Sequence, residues 1–94
     1  MNFKDKVYQL TKSIPKGKVA TYKSIAVAIG SPKSSRGVAT VLSQNFDPEI
    51  PCHRVVRSDG TLGGYTRGGE AKKIKLLKRE GVVINKKRVE LTPI

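Results

Sequence analysis

The sequence predicts a single α+β domain, mostly helical, with a small β-hairpin near its C-terminal end. Three observations indicate this fold class. The 94 residues, 37% of them apolar, suffice for one modest hydrophobic core. Apolar side chains recur at helical spacing in four stretches, each bounded by capping or helix-ending residues. Turn-forming residues interrupt a short extended pattern near the C-terminus, as in a hairpin. We therefore expect residues 1–94 to form one domain.

The first predicted helix begins after Asn2, which is suited to cap it because Asp5 follows three residues later. The segment Pro15-Lys16-Gly17 ends this helix. Its apolar face consists of Phe3, Val7, Leu10 and Ile14.

Two further helices are predicted to follow. Thr21 is a good N-cap for the second, and Gly30 is its natural C-terminal residue. Ser31-Pro32 predicts a cap and a proline in the first helical position of the third, which runs to about Gln44. Their inward-facing residues are Tyr22, Ile25, Ala26 and Ile29 in the second helix, and Val38, Val41 and Leu42 in the third.

The charge of the chain bears on what these helices bind. Nineteen Lys and Arg against seven Asp and Glu give a net charge of +12, which favours a polyanion, nucleic acid before an anionic membrane. Two short helices joined by a tight Gly-Ser-Pro turn are typical of a helix-turn-helix, and the charge strengthens that interpretation. We therefore expect a winged-helix-like, DNA-binding helix-turn-helix.

Other function classes are disfavoured by the composition. No apolar run approaches the ~18 residues of a membrane-spanning helix, and Asp5 and Lys6 break any signal sequence. A single cysteine allows no internal disulfide, which fits a reducing cytoplasm. One cysteine and one histidine also disfavour a Cys/His zinc site.

The helical periodicity disappears between Asn45 and Thr66. Prolines stiffen the first part as a loop, and residues 53–57 are predicted to be extended. Glycine pairs on both sides of Tyr65 allow the backbone to approach a ligand closely, although a flexible loop is the commoner explanation.

Helix returns from about Glu70 to Glu80 and stops at Gly81. Residues 82–91, with Asn85-Lys86 at the centre, are predicted to form the β-hairpin. The helix is expected to turn inward Ala71, Ile74 and Leu77.

Cys52 is the nucleophile of interest in this sequence. A lone cysteine is most often a small buried apolar residue. Here, however, Pro51 fixes the backbone before it and His53 supplies a base. The charges of Arg54 and Arg57 favour the thiolate form of the sulfur.

The geometry of a Cys–His pair at adjacent positions is not settled by the sequence. Neighbouring side chains of a regular strand point to opposite faces, so contact between Cys52 and His53 needs a bend or a bridging water. A carboxylate from Glu80 or Glu70 would orient the histidine, and spacing alone does not separate the two.

The motif Pro51-Cys52-His53-Arg54-Val55 stands among other segments of a recognisable pattern. These segments are residues 14–22, 34–38 with Asn45, 60–66, and 72–81. In that order they resemble the O6-alkylguanine-DNA alkyltransferases, also called methylated-DNA–protein-cysteine methyltransferases. The resemblance covers about residues 3 to 81. It implies the family's C-terminal DNA-binding and active-site domain, with the usual N-terminal family domain absent.

The resemblance implies a catalytic role for four residues. Cys52 would take the alkyl group from the O6 atom of guanine by in-line displacement. His53, acting through a water and held by Glu80, would keep the sulfur as thiolate and help to protonate the departing guanine. Asn45 would brace the turn that positions the active-site segment.

It also implies how the lesion is reached. Tyr22 would donate a hydrogen bond to the flipped base and push on its 3′ phosphate. Arg36 would enter through the minor groove and fill the vacated stack, because a base inside a duplex hides its O6 atom. The remaining residues expected to bind DNA or substrate are Val55, Tyr65, Thr66 and Arg54.

The expected function is therefore DNA repair by a single-turnover cysteine methyltransferase. Its partner would be double-stranded DNA carrying O6-alkylguanine, with no cofactor, no metal and no membrane. We expect a monomer in the cytoplasm, or in the nucleus of a eukaryote.

Alternatives from other classes are a lesion sensor and a sequence-reading regulator. Alkyltransferase-like sensors are similarly short, but they typically carry tryptophan where this chain has Cys52. A regulator would need base-reading side chains for the major groove, whereas the third helix offers mainly small residues. A cysteine peptidase is disfavoured further, since no second domain forms a cleft.

Overall fold

A computed structural model describes residues 2–63, 65 and 68–89 of the chain. Its elements follow one another as a helix, a short strand, two helices, a 3₁₀ turn with a second strand, a fourth helix and a hairpin. They are α1 (Phe3–Lys12), β1 (Ala20–Thr21), α2 (Tyr22–Ala28), α3 (Ser35–Ser43), the 3₁₀ turn (Cys52–Arg54), β2 (Val55–Val56), α4 (Gly69–Arg79), β3 (Ile84–Asn85) and β4 (Arg88–Val89). The predicted α+β, mostly helical class is confirmed.

The starts of α1 and α2 agree with the predicted caps. The side chain of Asn2 accepts a hydrogen bond from the amide of Asp5 at 2.8 Å. Thr21 and Ser24 cap each other, each side chain accepting from the other's backbone amide. These bonds satisfy donors that the first turn of a helix leaves free, so both helices begin where the sequence predicts.

The predicted start of α3 is wrong. Pro32 lies in a turn, and the helix begins only at Ser35. The amide of Ser34 donates to the carbonyl of Ser31 at 2.9 Å, and their hydroxyls are 2.7 Å apart. This serine-bridged turn replaces the helical first turn expected at the proline.

The inward face of α4 also differs from the prediction. Leu77 is fully buried and Ile74 is half-buried, but Ala71 is exposed. Lys73 takes the buried position instead, with none of its surface exposed. The helix packs on two backbone carbonyls at this point, and a lysine amine satisfies them where a methyl group does not.

A parallel pairing of β1 with β2 was not predicted. Ala20 pairs with Val55 and Thr21 with Val56. The pairing brings the entrance of α2 against the residues that follow Cys52. Of the predicted extended stretch 53–57, only Val55–Val56 forms a strand, because the 3₁₀ turn occupies the first part.

The C-terminal hairpin pairs β3 with β4 in antiparallel fashion. Its turn is at Lys86-Lys87, one residue later than predicted, and the end of the predicted stretch lies outside the described residues. Both lysines have positive φ angles, 52° and 61°.

Two clusters of buried residues make up the core. One joins α1, α2 and α3 to the 3₁₀ turn and contains Cys52. The other joins α4, the hairpin and β2, with Val56 and Leu77 at its centre. No helix in the described part of the chain is long and apolar enough to cross a bilayer.

Candidate active site and nucleic-acid interface

Cys52 lies at the start of a single 3₁₀ turn, buried to 6% exposure. Its amide donates to the carbonyl of Ile50 at 2.8 Å, and the amide of Arg54 donates to that of Pro51 at 3.0 Å. This turn is the kind of bend that adjacent cysteine and histidine side chains need if they are to share one side of the backbone.

Asn45 is buried and closes the loop before the cysteine. Its side-chain oxygen accepts from the amide of Asp47 at 2.9 Å. Its side-chain nitrogen contacts the carbonyls of Asp47 and Ile50, both at 3.4 Å. A single amide group therefore ties the end of α3 to the residue two positions before Cys52.

His53 is paired with Glu80, with 3.0 Å between Nε2 and Oε2. Burial lowers the pKa of His53 and outweighs the opposing effect of the hydrogen bond to Glu80. The imidazole is therefore held mainly in its neutral form at pH 7. The ring of Tyr65 stands edge-on to it, with centroids 6.4 Å apart.

Glu80 is also held by Arg54. The Nε atom of Arg54 donates to Oε1 at 2.9 Å, and NH2 donates to Oε2 at 2.7 Å. Burial raises the pKa of Glu80, but the hydrogen bonds from Arg54 and His53 and their charges outweigh it, so the pKa falls to about 2. Glu80, and not Glu70, is the carboxylate at the histidine.

Arg54, predicted to bind DNA or substrate, directs its side chain at acceptors inside the protein. Its third donor, NH1, donates to the carbonyl of Ile14 at 2.9 Å, and the side chain is 16% exposed. Three N–H groups of the guanidinium thus donate to internal acceptors, the Glu80 carboxylate and a backbone carbonyl just after α1. Arg54 therefore contacts the same carboxylate that is hydrogen-bonded to His53.

Lys73 is a buried cation that the sequence analysis missed. Its amine donates to the carbonyl of Val55 at 2.8 Å and to that of Leu62. Burial lowers the pKa of Lys73 to about 8, with the charge of Arg57 acting in the same sense and Cys52 and Glu70 opposing it. The spacing of the helix could have indicated its burial, because Lys73 shares one face with Leu77 and Glu80 at i, i+4 and i+7.

Tyr22 and Arg36 line one pocket at the junction of α2 and α3. Arg36 is exposed in the first turn of α3. Burial raises the pKa of Tyr22, and Cys52 adds to the rise while Arg57 opposes it, so the phenol remains a hydrogen-bond donor at neutral pH. A Cβ atom on Gly63 would lie 3.2 Å from the Tyr22 hydroxyl, so that glycine lies close against the phenol.

Two of the other predicted site residues, Val55 and Tyr65, lie close to the 3₁₀ turn. Val55 is fully buried, and its carbonyl already accepts from Lys73. Tyr65 lies beside His53, as described above, and Thr66 lies outside the described residues. Among residues 2–63, 65 and 68–89, no group of three or more His, Cys, Asp or Glu side chains is arranged to hold a metal ion.

These features define a helix-turn-helix DNA-binding domain in which a buried cysteine adjoins a His–Glu–Arg network. Residues 2–82 match the family profile described as 6-O-methylguanine DNA methyltransferase, DNA binding domain. The chain belongs to this family.

Two similar proteins carry methyltransferase names. The chain is 45% identical over 86 residues to a bifunctional methyltransferase/endonuclease of Picrophilus torridus, covering 90% of this chain and 28% of that protein. It is 48% identical over 84 residues to a methylated-DNA–protein-cysteine methyltransferase of Metallosphaera sedula, covering 88% of this chain and 51% of that protein. The chain thus spans about half or less of the length of these curated relatives.

Two solved structures with bound DNA have the same fold. Atl1 of S. pombe, in complex with damaged DNA containing O6-carboxymethylguanine, matches with a TM-score of 0.82 and 33% identity, over 96% of this chain and 88% of that one. OGT of Mycobacterium tuberculosis, in complex with DNA, matches with a TM-score of 0.81 and 35% identity, over 86% of this chain and 49% of that one.

Proposed function

We propose that this chain repairs DNA by flipping O6-alkylguanine out of the duplex and transferring the alkyl group to its own Cys52. The transfer is irreversible and occurs once per molecule. The observation that carries the proposal is the position of Cys52, in a tight turn whose next residue, His53, is hydrogen-bonded to Glu80 at 3.0 Å. An adjacent base that is held by an orienting group activates a thiol as a nucleophile, and His53 and Glu80 are suited to these two roles.

The protonation states of this network suggest how the proton moves. Glu80, with its pKa at about 2, is ionised at neutral pH and can only accept hydrogen bonds. The Nε2 atom of His53 must then carry the hydrogen that it shares with Glu80, which leaves the lone pair on Nδ1. Nδ1 takes the proton of Cys52, directly or through a water.

Alkyl transfer is then a direct displacement at the alkyl carbon. The sulfur of Cys52 forms a bond to the alkyl carbon as the bond between that carbon and O6 of guanine breaks. The electron pair of the broken bond goes to the guanine, which receives the proton held by His53. The products are a thioether on Cys52 and an unmodified guanine. A thioether is a poor leaving group, so the protein does not turn over.

Access to the lesion is proposed to depend on α2 and α3. Arg36, exposed and planar, fills the gap left by the extruded nucleotide and offsets the lost stacking. Tyr22 donates a hydrogen bond to the flipped base. The pocket for that base is formed by the backbones of Cys52 and Val55, with Tyr65 as a wall. Such a protein acts as a monomer on chromosomal DNA, in a prokaryotic cytoplasm or a eukaryotic nucleus.

Intact-mass measurement after incubation with a duplex containing O6-methylguanine tests the proposal. The protein should gain one methylene unit in mass, located on Cys52 by peptide mapping. Cys52→Ala should bind the same duplex and gain nothing, and a duplex with unmodified guanine is the second control. An unchanged wild-type mass, after complete binding of the lesion, would overturn the transfer step.

That outcome would support the second candidate, a lesion sensor. The observation in its favour is the structural match to S. pombe Atl1, with a TM-score of 0.82 over 96% of this chain. The presence of Cys52 in the His–Glu network favours repair over sensing. A sequence-reading regulator is distinguished by its dependence on flanking sequence, to which a repair protein should be almost indifferent.

A further inference from the structure

The turn of the C-terminal hairpin has a backbone conformation that its residues do not favour. Lys86 and Lys87 stand at the two central positions between β3 and β4, with φ angles of 52° and 61°. Two-residue hairpin turns of this kind strongly prefer Asn-Gly, because the Cβ atom of most residues makes the left-handed region costly. Backbone strain of this kind is often found at functional sites, which suggests a function for these two lysines.

The two lysines are also free to meet a partner from solvent. Both are exposed, and the side chain of Lys87 is 80% exposed. The ion pair of Lys87 with Glu70 has a separation of 4.0 Å, and Glu70 is itself 47% exposed, so water and salt weaken it. The strained turn therefore presents two adjacent positive charges.

These charges continue a basic surface that begins at α3. Arg57 lines the pocket that contains Tyr22 and Arg36, and it also lines a second pocket with Lys86 and Lys87. Arg57 thus links the helix-turn-helix to the hairpin. We define the basic surface by its five cations, Lys23, Arg36, Arg57, Lys86 and Lys87.

Two carboxylates, Asp59 and Glu70, line the same pockets. Asp59 accepts hydrogen bonds from the amide and hydroxyl of Thr61 at 2.9 and 2.6 Å, which turns its charge toward its own loop. Glu70 is the acid that faces the lysines. Five cations against two acids leave the basic surface positive.

We propose that the Lys86-Lys87 turn is a second DNA-binding element, which binds backbone phosphates beside the region reached by α3. The inference rests on the proposed function, because it takes duplex DNA as the partner. The inference goes beyond that function by assigning phosphate binding to the hairpin, which has no part in the alkyl transfer. Phosphate binding of this kind carries no sequence information and increases residence on any duplex.

The double variant Lys86→Asn/Lys87→Gly tests this role of the hairpin. It removes two charges and installs the turn that the backbone prefers, so the thermal unfolding midpoint should be unchanged or higher. Binding to an undamaged duplex is measured by fluorescence anisotropy at several salt concentrations. The slope of log affinity against log salt should become shallower by about 1.8, because each phosphate that a lysine neutralises adds ~0.9 to the slope.

The matched control is Lys6→Gln/Lys12→Gln, which removes two exposed charges from α1, a helix that lines neither pocket. Its slope should change by much less. A third variant, Glu70→Gln, should steepen the slope, because it removes the acid facing the lysines. Equal slopes for the two double variants would overturn phosphate binding by the hairpin. The assay uses no lesion, so a failure of alkyl transfer would be seen separately, as an unchanged mass of the wild type.

Discussion

Arg54 and Glu80 form a two-pronged ion pair, with N···O distances of 2.9 and 2.7 Å, and the same carboxylate holds His53 at 3.0 Å. One acid thus connects a scaffold contact to the base beside Cys52. Arg54 extends the connection to α1 through the carbonyl of Ile14. The stability of the domain and the position of His53 beside Cys52 should therefore depend on the same carboxylate.

Glu80 should stabilise the fold in a pH-dependent way. Its pKa is about 2 in the folded protein against 4.5 unperturbed, so its contribution is present above pH 4.5 and is lost as the pH falls toward 2. After allowance for solvent screening, the contribution is on the order of 1–2 kcal/mol. Denaturant unfolding across pH 2.5–6 should show a smaller acid loss for Glu80→Gln than for wild type. The exposed Glu49→Gln is the control, and equal acid losses for both variants would contradict the assignment.

Lys73 should also make stability rise with pH, but in a higher range and because burial disfavours its charged form. Its pKa is about 8 in the fold against 10.5 unperturbed, so the unfolded chain binds more protons between these values. Stability should therefore rise with pH from 8 to 10.5, by on the order of 2–3 kcal/mol relative to Lys73→Met. Chemical denaturation of both proteins at pH 7.5 and pH 10 measures the difference. A difference that stays constant with pH would mean that folding leaves the pKa of this amine unshifted.

Gly63→Ala should disturb Tyr22 specifically. The new Cβ atom would lie 3.2 Å from the Tyr22 hydroxyl at a residue with φ of +71°. Gly30→Ala is the matched control, because its φ is +80° and no atom lies within 4 Å. Both variants should lose roughly 1 kcal/mol of stability from backbone strain. Only Gly63→Ala should slow alkyl transfer from duplex DNA, and equal rates in the two variants would separate Gly63 from the Tyr22 pocket.

Arg36→Ala should slow repair of duplex DNA by one to two orders of magnitude at limiting DNA, at about 1.4 kcal/mol per tenfold. The reason is that the vacated stack is left unfilled when the base is extruded. The ratio of the rate on duplex to the rate on free O6-benzylguanine isolates this effect, since the free base needs no flipping. Arg36→Lys should restore only part of the ratio, because an ammonium fills the stack less well than a planar guanidinium. An unchanged ratio of the two rates would mean that Arg36 is an ordinary solvated arginine with no role in flipping.

Features that depend on near neighbours in the sequence were predicted well. Asn2 and Thr21 satisfy amides three residues away, so their caps follow from local spacing alone. Gly81, with φ of +89°, ends α4 as expected. The exception is Pro32, where the local rule gave way to the turn made by two serines.

Features that depend on distant contacts were not predictable in the same way. Lys73 is buried because carbonyls from two other segments meet α4, and nothing within the helix sequence marks those acceptors. Arg54 points inward because its guanidinium is hydrogen-bonded to the Glu80 carboxylate and the Ile14 carbonyl. The choice between Glu70 and Glu80 required the fold for the same reason.

The parallel pairing of β1 with β2 also has a consequence for the order of folding. Ala20 and Val55 lie far apart in the sequence, and α2, α3 and the loop closed by Asn45 occupy the chain between them. Closing so long a loop is slow and becomes favourable only when the intervening helices are already compact. The two strands should therefore join after the helices have packed. The helix-turn-helix of α2 and α3 should therefore be formed before the turn that bears Cys52 reaches its final position.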